Sequence, residues 1–170
     1  MPEVTWQGRA VRFLGNHGIW DAPKTAVFCS GRCPGLRILE AQELAHRWRA
    51  EGRVIISGFH TPVEKEILRI LLAGTQPIIL CPARGLPRRL PPELSRALAA
   101  GRLLLATPCD ASVSRADRRT CELRNRFVAD SADSITVIHV HPGSLTERSL
   151  ADYPTRPAGA DTSAPSSSAK

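Results

Sequence analysis

Short β-rich apolar runs alternate along this chain with longer segments of helical spacing, and that alternation narrows the fold more than any single motif. The runs are residues 25–29 (TAVFC), 53–56 (RVII), 77–81 (PIILC), 103–106 (LLLA) and 135–140 (ITVIHV). Between them lie residues 38–50, 62–73, 91–100 and 115–132, in which Leu, Ile, Ala or Val recurs every three or four positions. Strands that are apolar throughout need both faces covered, and strands separated by helices run parallel. The expected fold is α/β: a Rossmann-like, doubly wound, mainly parallel sheet with helices on both faces. Residues 10–14 offer a further strand before a turn at 15–18. Thr61 ahead of Pro62 predicts an N-cap with proline in the first helical turn, and Gly74 and Gly101 stand where helices should stop.

At 170 residues, 42% of them hydrophobic, the chain is long enough for one sizeable core and short for two ordinary domains. One domain is expected over residues 1–150. Residues 151–170 are rich in Ala, Pro, Ser, Thr and Gly, with too few apolar side chains to offset the entropy of ordering them, which predicts a disordered tail. No apolar run approaches the roughly 18 residues that cross a bilayer, and residues 1–12 lack the apolar core of a signal peptide. The expectation is a cytoplasmic protein with no membrane partner. Five cysteines, an odd number with no CxxC pair, read as reduced thiols.

The formal charge of +7 is unevenly spread. Between Arg84 and Arg126 stand ten arginines and four acids, a local balance of +6. Such a band concentrates polyanions and favours nucleic acid or a nucleotide over a neutral small molecule.

In parallel sheets ligands bind beyond the carboxyl ends of the strands, where loops lead into helix N-termini. The candidate residues all fall at that edge. Ser30-Gly31-Arg32 follows the first core strand, Ser57-Gly58 the second, Arg84-Gly85 the third, and Gly143-Ser144-Leu145-Thr146 the last. The glycines permit close approach to an oxyanion and the hydroxyls donate to it. Arg124-Asn125-Arg126 adds two guanidiniums, each able to grip a phosphate with parallel hydrogen bonds.

Other chemistries find less support. His139 and His141 share a strand face but lack a third ligand, so no metal is assigned. His60 and Glu64, four apart, read as an i,i+4 contact rather than an acid/base pair. There is no nucleophile elbow, no Walker A sequence and no full GxGxxG, so no catalytic residue and no dinucleotide cofactor are assigned.

The succession CSGR, AEGRVIISG, IILCPARGL and RNRFVADSADSITVIHV into PGSLT resembles the Rossmann-like domain of the DprA/Smf DNA-processing family over residues 12–150, within a superfamily that also holds LOG-type proteins. That resemblance implies single-stranded DNA held in a basic pocket, a homodimer, and delivery of the strand to a recombinase during DNA processing, uptake or recombination. It matches Gly31 and Arg32 to the family's first loop, Ser57 and Gly58 to its second, Arg124, Asn125 and Arg126 to its arginine-rich helix, and Gly143, Ser144 and Thr146 to its last loop. Phe59-His60-Thr61-Pro62 replaces the family's glycine-rich acidic continuation, and Cys121 stands where an aromatic is expected. Two alternatives remain open: LOG-like nucleoside-monophosphate phosphoribohydrolysis, for which PGSLTE is a truncated echo of the PGGxGTxxE signature, and a nucleotide sensor.

Overall fold

All five apolar runs form strands, and their order in the sheet decides where a ligand can sit. In the computed structural model, which describes residues 3–158, a hairpin of β1 (Thr5–Trp6) and β2 (Arg9–Ala10) leads into β3 (Arg12–Gly15). Then β4 (Lys24–Cys29), α1 (Gly35–Glu51), β5 (Val54–Ser57), α2 (Pro62–Leu72), β6 (Ile78–Leu80), α3 (Pro92–Ala99), β7 (Leu103–Thr107), α4 (Arg118–Ser131) and β8 (Ser134–His139) alternate, followed by α5 (Leu145–Leu150) and β9 (Arg156–Pro157). The main sheet has the order β3-β7-β6-β5-β4-β8-β9. Only β3 runs antiparallel, on the outer side of β7. The expected doubly wound α/β architecture is what the chain adopts.

Strand residues alternate between the two faces, as a pleat with period two demands. Val27, Cys29, Ile55, Ile78, Leu103 and Leu105 pack against α1, α2 and α3, where Trp48 is the largest fully buried side chain. Ala26, Phe28, Ile56, Ile79, Leu104 and Ala106 pack on the other face, against Phe127, Val128 and Ala129 of α4. That second face is finished by aromatics from the start of the chain. Trp20 stacks on Phe127 at 5.9 Å and Trp6 meets the same ring edge-on at 5.5 Å. Asp130, one helical turn on, accepts hydrogen bonds from Trp6 Nε1 at 2.8 Å and Tyr153 Oη at 2.7 Å. Burial and this carboxylate push the Tyr153 phenol up to about 12.

The helix boundaries follow from local chemistry. α2 opens on a capping box, Thr61 accepting from the Glu64 amide while the Glu64 side chain accepts from the Thr61 amide. α1 ends at Gly52, which takes the left-handed conformation that suits glycine.

The chain end differs from expectation. Residues 151–158 are not a structureless tail: β9 pairs in parallel with Thr136 and Val137 of β8, and Ala158 is buried. Pairing on a sheet edge uses main-chain groups, for which composition carries no signal, and Pro157 is tolerated because it lies on an edge strand. From residue 159 the expected tail lies outside the described residues. The segment after β8, read from sequence as a loop, includes the helix α5. Among the described residues no helix is long and apolar enough to cross a membrane. All five cysteines are free.

Candidate anion-binding site

β4 is where the winding reverses: β5, β6 and β7 extend from one side of it and β8 lies on the other. The loops after β4 and β8 therefore diverge over a crevice at the carboxyl edge, the usual place for a ligand in such sheets. They are tied together at its base. Ser30 N donates to His139 O at 2.8 Å, His141 N donates to Ser30 Oγ at 2.9 Å, and the Ser30 and Ser144 hydroxyls lie 3.1 Å apart. Ser144 Oγ also accepts the Glu147 amide at 3.2 Å, capping α5. When Ser30 donates to Ser144, the Ser144 proton remains for a ligand.

Above this base lies a cavity of about 340 Å³, lined by Gly31, His60, Glu64, Cys121, Arg124, Asn125, Ser144 and Thr146 among others. Arg124 supplies its positive charge. The residue is only 5% exposed; its Nε donates to Asn125 Oδ1 at 2.8 Å and its Nη1 to Cys81 O at 3.3 Å. Asn125, itself buried, donates in turn to Ser149 Oγ at 3.4 Å, so it fixes the plane of the guanidinium. Gly58 lies directly against Arg124: a Cβ there would overlap Nη1 and Cζ. The glycine that the sequence offers for close approach to an oxyanion serves close approach to the arginine.

Glu64 is the acidic residue of this floor, and it too is 5% exposed. Both carboxylate oxygens face backbone amides: Oε1 accepts from Cys29 N at 3.1 Å, and Oε2 from His60 N at 2.9 Å and Thr61 N at 3.0 Å. The protein thus fills the amide cradle of its first two loops with its own carboxylate. No carboxylate stands within 4.0 Å of the Arg124 guanidinium among the described residues. Burial and the Arg124 charge push the exposed His60 imidazole below its ordinary value, with Glu64 pulling the other way and Lys65 adding to the fall. Burial pushes the Cys81 thiol up to about 12 and raises Cys29 as well, so neither is a ready nucleophile.

The candidates read from sequence do not all meet. Gly31, Arg124, Asn125, Ser144 and Thr146 share the cavity, and Ser30 braces it from below. Arg32 is exposed beside Gly31. Ser57 is fully buried and committed on both sides, donating to Val27 O at 2.9 Å and accepting from Phe59 N at 3.1 Å. Gly143 takes a positive φ of 75° and its amide donates to the Glu147 carboxylate at 2.6 Å, so that amide too has an internal acceptor. Arg126 faces another depression with Arg9 and Arg119 and pairs with Glu122 at 3.3 Å. Arg84 lines a third one with Arg88 and Arg89.

Sequence reasoning missed the role of Glu64, although Thr61-Pro62-Val63-Glu64 spells a capping box and so announces a carboxylate turned to the backbone. It also missed the strain at Phe59, a buried aromatic at φ 46°, in the left-handed region that side chains of its kind avoid. Ser57→Ala is expected to lower stability by about 1 to 2 kcal/mol, because it orphans the buried Phe59 amide. Urea unfolding checks this, and an unchanged midpoint would mean that water or a relaxed loop takes the hydroxyl's place.

No family model matches the chain, and no curated protein matches it. Solved structures do. DNA processing protein A from Helicobacter pylori, studied for its single-stranded DNA binding mode, superposes with a TM-score of 0.68 at 19% identity, over 84% of this chain and 66% of that one. DprA from Streptococcus pneumoniae gives 0.67 at 19% identity, over 84% and 52%. A molybdenum cofactor binding protein from Rippkaea orientalis gives 0.52 at 14% identity, over 76% and 68%. This chain has the Rossmann-like fold of the DprA structures, and it spans about two thirds of the Helicobacter protein and about half of the Streptococcus protein.

Proposed function

We propose that this DprA-like domain binds single-stranded DNA, holding a phosphate in the cavity over Arg124. One observation carries the reading: a buried arginine, its guanidinium braced by Asn125 and Cys81 and with no carboxylate within ion-pair distance among the described residues, forms the floor of a crevice at the winding reversal. A buried charge without a directly paired counter-charge is costly, and an anionic ligand in contact with it offsets that cost. The Glu64 carboxylate brings its charge to the same cavity, but it stands beyond ion-pair distance of Arg124 and both its oxygens accept amides, so it is not a direct partner of the guanidinium. The Ser144 hydroxyl, Thr146 and the exposed Arg32 and Gly31 stand around the remaining approach. A strand, rather than a free nucleotide, is favoured by the arginine excess of residues 84–126 and by the DNA-binding neighbour of the same fold. A second copy of the chain and a recombinase enter as partners through the family resemblance alone.

Phosphoribohydrolysis draws less support. It needs a carboxylate oxygen turned toward the substrate as positive charge develops; in the cavity Glu64 has both oxygens turned to backbone amides, and Glu147, which has one oxygen on the Gly143 amide, does not line it.

The test is a competition titration between oligo-dT and AMP, repeated over a range of salt. Strand binding should dominate, and log affinity should fall linearly with log salt, by a slope of roughly 0.7 for each phosphate contacted. Tight AMP binding with weak strand binding would make the domain a nucleotide sensor. A flat salt response would remove DNA from consideration.

A further inference from the structure

We propose that Arg84, Arg88 and Arg89 form a second phosphate-holding station, which receives the strand as it leaves the Arg124 cavity. The inference rests on the reading above and extends it from one phosphate to a backbone path. Residues 82–91 (PARGLPRRLP) carry three arginines and no acid. All three are exposed around a depression of about 470 Å³ that also includes Ser114. None of them makes an ion pair or a side-chain hydrogen bond among the described residues, whereas Arg12, Arg37, Arg69 and Arg126 each hold a carboxylate.

The loop that carries them is fixed rather than loose. The one Thr107 hydroxyl proton is shared between Pro82 O at 3.2 Å and Arg84 O at 2.9 Å, and Gly85 N donates to Val113 O at 2.9 Å. Gly85 backs onto the main chain of Asp110 and Ala111 so closely that a Cβ would stand 3.0 Å from the Asp110 carbonyl oxygen. Pro82, Pro87 and Pro91 restrict φ at three further positions. A rigid loop that crowds like charges is unfavourable alone and becomes favourable beside a polyanion, with little ordering left to do on binding.

Position links the two stations. Arg124 Nη1 donates to the carbonyl of Cys81, the residue before Pro82. Three residues of chain span at most about 11 Å, so the Arg84 backbone lies within about that distance of the residue that holds Arg124. Two other basic surfaces carry acids among their arginines: the depression of Arg9, Arg119 and Arg126 also holds Asp110, Asp117 and Glu122, and the groove between α2 and α3, lined by Lys65, Arg69, Arg96 and Arg102, holds Glu93. There Arg69 is paired with Glu66, and Arg102 is held by the Leu72 and Gln76 carbonyls.

The experiment compares the full chain with R88A/R89A and Arg124→Ala, titrating AMP and oligo-dT of about 4 to about 16 nucleotides, the span of single-strand site sizes. R88A/R89A should leave AMP and the shortest strand unchanged. It should weaken the longest strand about tenfold and reduce the salt slope by about 1.4, two contacts' worth. Restored affinity in R88K/R89K would confirm that charge is what the strand reads. Unchanged long-strand affinity and slope in R88A/R89A, with binding still lost in Arg124→Ala, would overturn the second station and leave the first. A wild-type chain that binds no strand would overturn both.

Discussion

Glu64→Ala should lower the unfolding free energy by about 3 to 5 kcal/mol, a large share of what a domain of this size commands. The carboxylate accepts three backbone amides, Cys29 from the end of β4 and His60 and Thr61 from the loop before α2, in a place that is 5% exposed. A hydrogen bond to a charged group is worth about 1.5 to 3 kcal/mol; the loss is fullest at the buried Cys29 amide, and water reaching the part-buried His60 and Thr61 amides limits the sum. Glu64→Gln keeps one acceptor oxygen and should lose less than alanine does. Urea unfolding of the three proteins measures the series. If alanine and glutamine fell together within about 0.5 kcal/mol of the parent, the amides would have found other acceptors and Glu64 would not be what joins the two loops.

Arg124→Ala should reduce affinity for oligo-dT by about 1.5 to 3 kcal/mol, or roughly 10- to 150-fold, the range for a charge-assisted contact to phosphate. Truncation also strips the Asn125 amide oxygen and the Cys81 carbonyl of a donor, so the variant confounds binding with fold. Gly58→Ala separates them. A Cβ at residue 58 overlaps the guanidinium while no charge is removed from the chain. Because Asn125 and Cys81 hold Arg124 on two sides, the side chain must leave its position, and strand affinity should fall by at least tenfold with a smaller change in stability. Arg124→Lys should not restore binding, since an ammonium cannot donate to Asn125 and a ligand in one plane. Equilibrium titration alongside unfolding curves decides the matter; wild-type affinity in a folded Gly58→Ala protein would return Arg124 to a purely structural role.

The architecture was legible because strand and helix signals here are periodic and repeated. Every apolar run became a strand, with boundaries displaced by a residue or so, since period two and period 3.6 survive in sequence. The site was legible only in outline. Four loops on one edge were correctly placed by topology, but which of their groups face outward depends on partners far away in sequence. Ser57 looks like a free hydroxyl until Val27 and Phe59 take both its functions. Arg124 and Arg126 look like a pair, yet residues two apart on a helix point about 200° apart, so one enters the crevice and the other meets Glu122. The Glu64 role was readable from the capping box, whereas β9 was not, because edge pairing asks nothing of side chains.

Phe127 stands three residues after Arg124 on α4, between the indoles of Trp6 and Trp20, while Trp48 is sealed in the opposite layer. The helix that presents the guanidinium thus carries an optical gauge on its back. Any tilt or slide of α4 on loading the crevice changes the surroundings of two emitters and leaves the third as an internal reference, so occupancy can be followed in the unlabelled chain.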